Sequence, residues 1–157
     1  MNNNLTILFE DTHILVCIKP AGVPSQSGRT LDSDMVNQLK NYLFQNSLDK
    51  TPPYLGLIHR LDRPVEGIMV FAKTPFAAKD LSQQIQLKSI KKKYLAVLTA
   101  DLTEELTTGE TKLEDYLIKN GITNLSSIVP TKDATKTKDA KKAILTYQVK
   151  EVLQSPK

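Results

Sequence analysis

The stretch LIHRLDRPVEGIMVFAK, residues 57–73, sets His59, Arg60 and Asp62 within four positions, adds Arg63 and Glu66, and then runs into apolar residues. A carboxylate flanked by guanidiniums is favoured in its ionised form, and an ionised carboxylate can act as a nucleophile. The same residue types also make an Arg–Asp ion pair that ties down a turn, and spacing alone leaves both readings open. Other chemistries fit less well. Glycosidase carboxylates flank a sugar from separate directions, which Asp62 and Glu66, four residues apart across a turn, seldom achieve. Gly22 and Gly28 lie six apart where a Walker A loop has five, and Arg29 stands where its lysine must be. No Gly-x-Gly-x-x-Gly or Gly-x-Ser-x-Gly pattern occurs, and the single Cys17 falls inside an apparent buried strand, where it reads as packing. Beside His13 and His59 it makes no structural zinc set, and no metal is expected.

Composition bounds the setting in which such chemistry would run. A chain of 157 residues is most economically one domain, able to bury roughly 70% of the surface its unfolded form exposes. Lys and Arg total 21 against 17 Asp and Glu, a net charge of +4 that favours a polyanionic partner. The N-terminus lacks a basic region followed by a long apolar one, and charges recur too often for a bilayer span, so no membrane association is expected. One cysteine suits a reducing compartment, and a soluble cytoplasmic protein is expected. Without a heptad seam, a monomer is expected.

The elements that must position Asp62 can be read from periodicity. The alternation in residues 5–9 and the run over residues 13–19 read as two strands of a hairpin. Residues 20–30, PAGVPSQSGRT, hold two prolines, two glycines and two serines and form a loop. Met35, Val36, Leu39, Tyr42 and Leu43 recur at helical spacing over residues 32–46, behind Asp32 and Ser33 as caps. Residues 54–58 read as a short extended segment and IMVFAK as a buried strand. Thr74 and Pro75 open a second helix over residues 75–87. Residues 89–99, SIKKKYLAVLT, alternate as a strand with Lys92 and Tyr94 on one face. Residues 111–119 and 143–152 read as further strands, joined by a charged loop over residues 130–142 that carries Lys132, Lys136, Lys138, Lys141 and Lys142. The predicted class is α+β, with a mixed, mainly antiparallel sheet and flanking helices.

Several segments together carry a family resemblance. HRLD followed by GIMVFAK resembles the central motif of the RluA-type pseudouridine synthases: His-Arg-Leu-Asp, a few variable positions, Gly, apolar residues, Ala-Lys. IKPAGVPSQSG, residues 18–28, is similar to the family's Lys-Pro-x-Gly-x-Pro segment, and IKKKYLAVL, residues 90–98, to its Lys-x-Tyr-x-Ala motif. LEDYLIKN and KKAILTYQV resemble two later strands. His59 favours this group over RsuA-type enzymes, which usually have Gly there and an N-terminal RNA-binding module; none precedes the motif here. Val65 and Glu66 depart from the Thr-Ser common in the family, which implies altered turn contacts. A further family motif, a Gly-Arg-x-His-Gln-Ile-Arg strand supplying a basic partner for the catalytic Asp, would fall after Lys157. The expectation is therefore a single, partial catalytic domain over residues 1–157, incomplete at its C-terminus.

The resemblance implies isomerisation of uridine to pseudouridine in structured ribosomal or transfer RNA, with no cofactor and no metal. Asp62 would be the nucleophile, attacking C1′ of the ribose or C6 of the ring, and Tyr94 would stack on the detached base and help remove the C5 proton. Arg60 would fill the stack that the extruded base vacates. His59 would support the RNA or the loop, with a hydrogen-bonded turn histidine as the alternative. Lys19 would contact phosphate or brace the site. Lys92 and Lys93, with Lys88 and Lys91 beside them, are candidate phosphate contacts, although charge runs also occur as plain solvated surface. The alternative function is a noncatalytic RNA-binding protein, an inactive or truncated relative.

Overall fold

The computed structural model describes residues 5–27, 33–100, 102–104, 109–123, 125–130 and 137–153. It divides into two compact units, Met1–Tyr94 and Leu95–Lys157.

In the first unit, β1 (Thr6–Glu10), β2 (Ile14–Lys19), α1 (Met35–Asn46), β3 (Gly56–Leu57), β4 (Gly67–Ala72) and α2 (Pro75–Gln86) follow in chain order. The strands form one sheet in the order β1-β2-β4-β3, with every pairing antiparallel. Strand alternation decides the core: Leu15 and Cys17 of β2 and Met69 and Phe71 of β4 point to one face and meet Met35, Val36 and Leu39 of α1. Burial raises the Cys17 thiol to about 11, so it remains a protonated packing group. The opposite face is covered at its end by α2: a Cβ added to Gly56, which pairs with Ala72, would lie 3.2 Å from the Ala78 methyl. Thr74 caps α2 by accepting from the Ala77 N–H, and Pro75 occupies its first turn, as the sequence predicts. The cap of α1 is Asp34 rather than Asp32 or Ser33; its carboxylate accepts from the N–H groups of Asn37 and Ser27. Asp34 thereby serves the helix and the preceding loop together.

The β2–β4 register decides which loops become neighbours. Cys17 lies opposite Met69 and Lys19 opposite Gly67. Hence β2 ends where β4 begins, and the loop leaving Lys19 emerges beside the loop that carries HRLD into Gly67.

The second unit is a three-stranded antiparallel sheet in the order β6-β5-β7, with β5 at Thr111–Lys119, β6 at Ser126–Val129 and β7 at Lys141–Tyr147. Glu114 of β5 pairs with Lys112 and with Lys142 of β7, and these bonds hold its carboxyl below the ordinary range. The α+β class holds, with the strands in two antiparallel sheets.

Three differences from the expected elements are physical in origin. Residues 91–98 form no strand, and all are exposed; an alternating pattern supplies strand propensity, but a strand needs a neighbour to accept its ladder bonds, and among the described residues none does. The shared face expected for Lys92 and Tyr94 lapses with that strand. β7 starts at Lys141, so Lys141 and Lys142 belong to a strand rather than to the charged loop, while Lys132 and Lys136 lie outside the described residues. β6 has no counterpart among the expected strands, because SSIV is too short for a periodicity to register. Among the described residues no helix is long and apolar enough to cross a membrane.

Phe71 is fully buried while Phe76 is 77% exposed. Phe71→Ala should lower the unfolding free energy in a urea titration by about 3–5 kcal/mol, and Phe76→Ala by about 0.5 kcal/mol at most.

Candidate active site

The two adjacent loops are joined chiefly through backbone groups. Lys19 continues the inward series of Leu15 and Cys17, so its side chain enters the interior and is 0% exposed. Its ammonium donates to the carbonyls of Pro20 (3.0 Å), Val23 (2.7 Å) and Arg63 (3.1 Å). These acceptors occupy all three of its N–H donors. Of the two roles open for Lys19, the brace is the one observed, because no donor remains to reach a phosphate. Burial pushes its pKa below the ordinary lysine range, and the charges of Asp62 and Glu66 oppose that shift.

Further bonds stitch the same seam. The Gly22 N–H donates to the Arg63 carbonyl at 2.8 Å, and Arg63 Nε returns a bond to the Gly22 carbonyl at 2.9 Å. Gly22 has φ +85°, a left-handed conformation that favours glycine, and this turn brings its N–H and C=O to Arg63. Ser25 is 4% exposed, and its hydroxyl donates to the Leu61 carbonyl at 2.7 Å while accepting from the Leu61 N–H at 3.0 Å. From sequence, Ser25 reads only as a turn former, which is the usual meaning of a serine in a Pro-Gly loop. Pro24 accepts from the Met35 N–H at 3.0 Å, anchoring this loop to the start of α1.

Between residues 24–26 and 60–63 lies an open cleft of about 430 Å³, within the range of small-ligand sites. Arg60 and Asp62 line it together and are exposed. The Asp62 carbonyl accepts from the Val65 N–H at 3.0 Å, closing the turn ahead of β4. Among the described residues no ion pair joins Asp62 to Arg60 or Arg63, so the turn is not tied by the Arg–Asp pair that residue types allow. It is tied through backbone carbonyls, and the carboxylate faces the cleft.

His59 is half-buried. β3 ends at Leu57 opposite Phe71, and His59 Nε2 accepts from the N–H of Val70, the next residue along β4, at 3.3 Å. An accepting Nε2 is unprotonated, and burial, reinforced by the positive charge of Lys92, lowers the His59 pKa below its ordinary value. The turn-histidine alternative is thus the observed contact, and Lys92 is near enough for its charge to be felt there. Lys92 and Lys93 are exposed. Tyr94 is 62% exposed and is not among the residues that line the cleft. The structure therefore brings Arg60, Asp62, Ser25 and Lys19 to one seam and leaves Tyr94 outside it.

Comparison with known proteins agrees with this architecture. A family profile described as RNA pseudouridylate synthase matches residues 13–154. The chain belongs to that family. Ribosomal large subunit pseudouridine synthase D of Nitrosomonas europaea is 37% identical over 102 residues, 64% of this chain and 29% of that protein. Ribosomal large subunit pseudouridine synthase C of Salmonella typhi is 31% identical over 115 residues, 73% of this chain and 34% of that protein. The chain thus spans about a third of the length of these curated relatives. The solved structure of human RNA pseudouridylate synthase domain containing 4 shares the fold, with a TM-score of 0.61 at 17% identity over 92% of this chain and 53% of that one.

A titration tests the His59 contact. Because its folded pKa lies below the unfolded value, the stability it contributes is fully present above pH 6.5 and is lost as pH falls through the folded pKa. His59→Gln, which keeps an acceptor that does not titrate, should remove this dependence. Between pH 7 and pH 5, wild type should lose stability relative to the variant, measured by urea unfolding at each pH.

Proposed function

We propose that the protein isomerises uridine to pseudouridine in RNA with Asp62 as the nucleophile. The observation that carries this reading is the Asp62 carboxylate, exposed beside Arg60 in a cleft whose walls are bonded to one another, in a chain of this family. Asp62 attacks C1′, displacing N1, or adds to C6 as the N1–C1′ bond breaks; the base turns, a C5–C1′ bond forms, and the bond to Asp62 breaks to return its carboxylate. The C5 proton is lost and N1 gains one, so atoms balance with no change of oxidation state. Large-subunit ribosomal RNA is the proposed substrate class, supported by the names of the relatives from Nitrosomonas europaea and Salmonella typhi.

Extruding a paired base costs a few kcal/mol of stacking and pairing. Arg60 is exposed on the cleft wall next to Asp62, and its planar guanidinium suits the vacated stack. Tyr94 lies outside the residues that line the cleft; its proposed role, a ring for the detached base and a phenol oxygen to assist loss of the C5 proton, rests on the resemblance of residues 90–98 to the family's Lys-x-Tyr-x-Ala motif. Lys92 and Lys93 contribute phosphate attraction that weakens with salt.

Ribosomal RNA tritiated at uridine C5 reports the reaction directly, because each turnover releases that hydrogen. Wild type should release tritium and Asp62→Ala should be slower by at least about 10³-fold. Equal release by the variant removes Asp62 as nucleophile, and RNA binding by wild type with no release favours the noncatalytic alternative. Arg60→Ala should slow release from folded RNA by about tenfold, since a stacked group contributes on the order of 1–3 kcal/mol, while stability moves by no more than about 0.5 kcal/mol. Equal rates on folded RNA would remove its base-filling role.

A further inference from the structure

We propose that Ser25 is a positioning residue for Asp62, acting through the backbone of Leu61. The proposal rests on the reading of Asp62 as nucleophile and adds to it a side chain whose hydroxyl is bonded to the backbone of Leu61 rather than to the reacting carboxylate.

Asp62 is exposed, and among the described residues no hydrogen bond or ion pair reaches its carboxylate. Its placement is inherited from the chain on either side. On the far side the Arg63 carbonyl is held twice, by the Gly22 N–H and the Lys19 ammonium. On the near side the hydroxyl of Ser25 takes both backbone groups of Leu61, donating to its carbonyl and accepting from its N–H. A paired strand would normally occupy two such groups with its own backbone; here one side-chain oxygen does so. The Leu61 side chain is seated as well: a Cβ on Gly67 would lie 3.2 Å from Leu61 Cδ1, so β4 begins with a glycine where this leucine packs.

Ser25 is itself firmly held. Pro24 accepts from the Met35 N–H, and the Ser27 N–H donates to the carboxylate of Asp34, the cap of α1. Met69 Sδ lies 3.6 Å from the Ser25 hydroxyl, but the single proton goes to the nearer and stronger Leu61 carbonyl. A rigid helix start thus fixes a buried hydroxyl, and the hydroxyl fixes the residue that leads into Asp62. Without it, Leu61 loses a donor and an acceptor contact at once, and the carboxylate is displaced while the side chains of Arg60 and Asp62 are themselves unaltered. Misplacing a reacting group by about 1 Å can cost about 10²-fold in rate.

The test compares wild type, Ser25→Ala and Ser25→Thr in single-turnover tritium release, RNA affinity and amide hydrogen exchange. Ser25→Ala should slow release by about 10- to 100-fold while the RNA dissociation constant stays within about twofold, and Ser25→Thr, which keeps the hydroxyl, should recover most of the rate. Exchange of the Leu61 amide should accelerate in Ser25→Ala with β2 and β4 amides unchanged. A Ser25→Ala rate within twofold of wild type, or a loss of affinity equal to the loss of rate, overturns the proposal. So does unaltered Leu61 exchange, a result that needs no activity. If wild type releases no tritium, the synthase reading fails and takes the catalytic part of this proposal with it, while the exchange measurement still decides whether the clamp exists. Should Ser25→Ala fail to fold, Ser25→Cys, with a weakly bonding thiol of similar size, carries the same comparison.

Discussion

At the end of β2 the strand's inward alternation carries a lysine, Lys19, into the interior, where nothing apolar can satisfy it. An ammonium in such a place is costly unless every N–H finds an acceptor. Lys19 finds three, and they belong to both loops of the seam: Pro20 and Val23 in one, Arg63 in the other. The charge can be buried only while those loops stay together. The rest of the site depends on this constraint, because the antiparallel register that sets Lys19 opposite Gly67 also delivers the HRLD turn to the lysine's side.

The consequence is a division of labour within a short stretch. Structural bonding is carried by backbone carbonyls, by Gly22 and by the buried side chains of Lys19, Ser25 and Asp34. Arg60 and Asp62 are left to the cleft. A turn tied by its own Arg–Asp pair would neutralise the carboxylate it presents; a turn tied through its carbonyls does not. His59 serves the same end from the other side, closing the ladder of β4 where β3 stops.

Much of this was legible from residues alone. Apolar runs located β2 and β4, helical spacing located both helices, and Thr74 with Pro75 marked the start of α2 to the residue. Asp62 and Arg60 stood out because charged groups rarely crowd the entrance of a buried strand. The features that escaped share a cause. Ser25 looks like any loop serine, Asp34 competes with two neighbouring candidates for the cap, and Lys19 reads equally as a brace or as a phosphate contact. In each case the decisive partner lies far along the chain: Leu61 is 36 residues from Ser25 and Arg63 is 44 from Lys19.

Residues 91–98 show the opposite error, a pattern with genuine strand character that the described structure leaves unpaired. The sequence by itself determined most of the elements, because periodicity is a local property that survives without a fold, and its motifs carried the family resemblance. Only the tertiary structure decided which polar groups hold the loops together and which face the cleft. That choice follows from strand register and burial, which bring residues together across a separation no local pattern encodes.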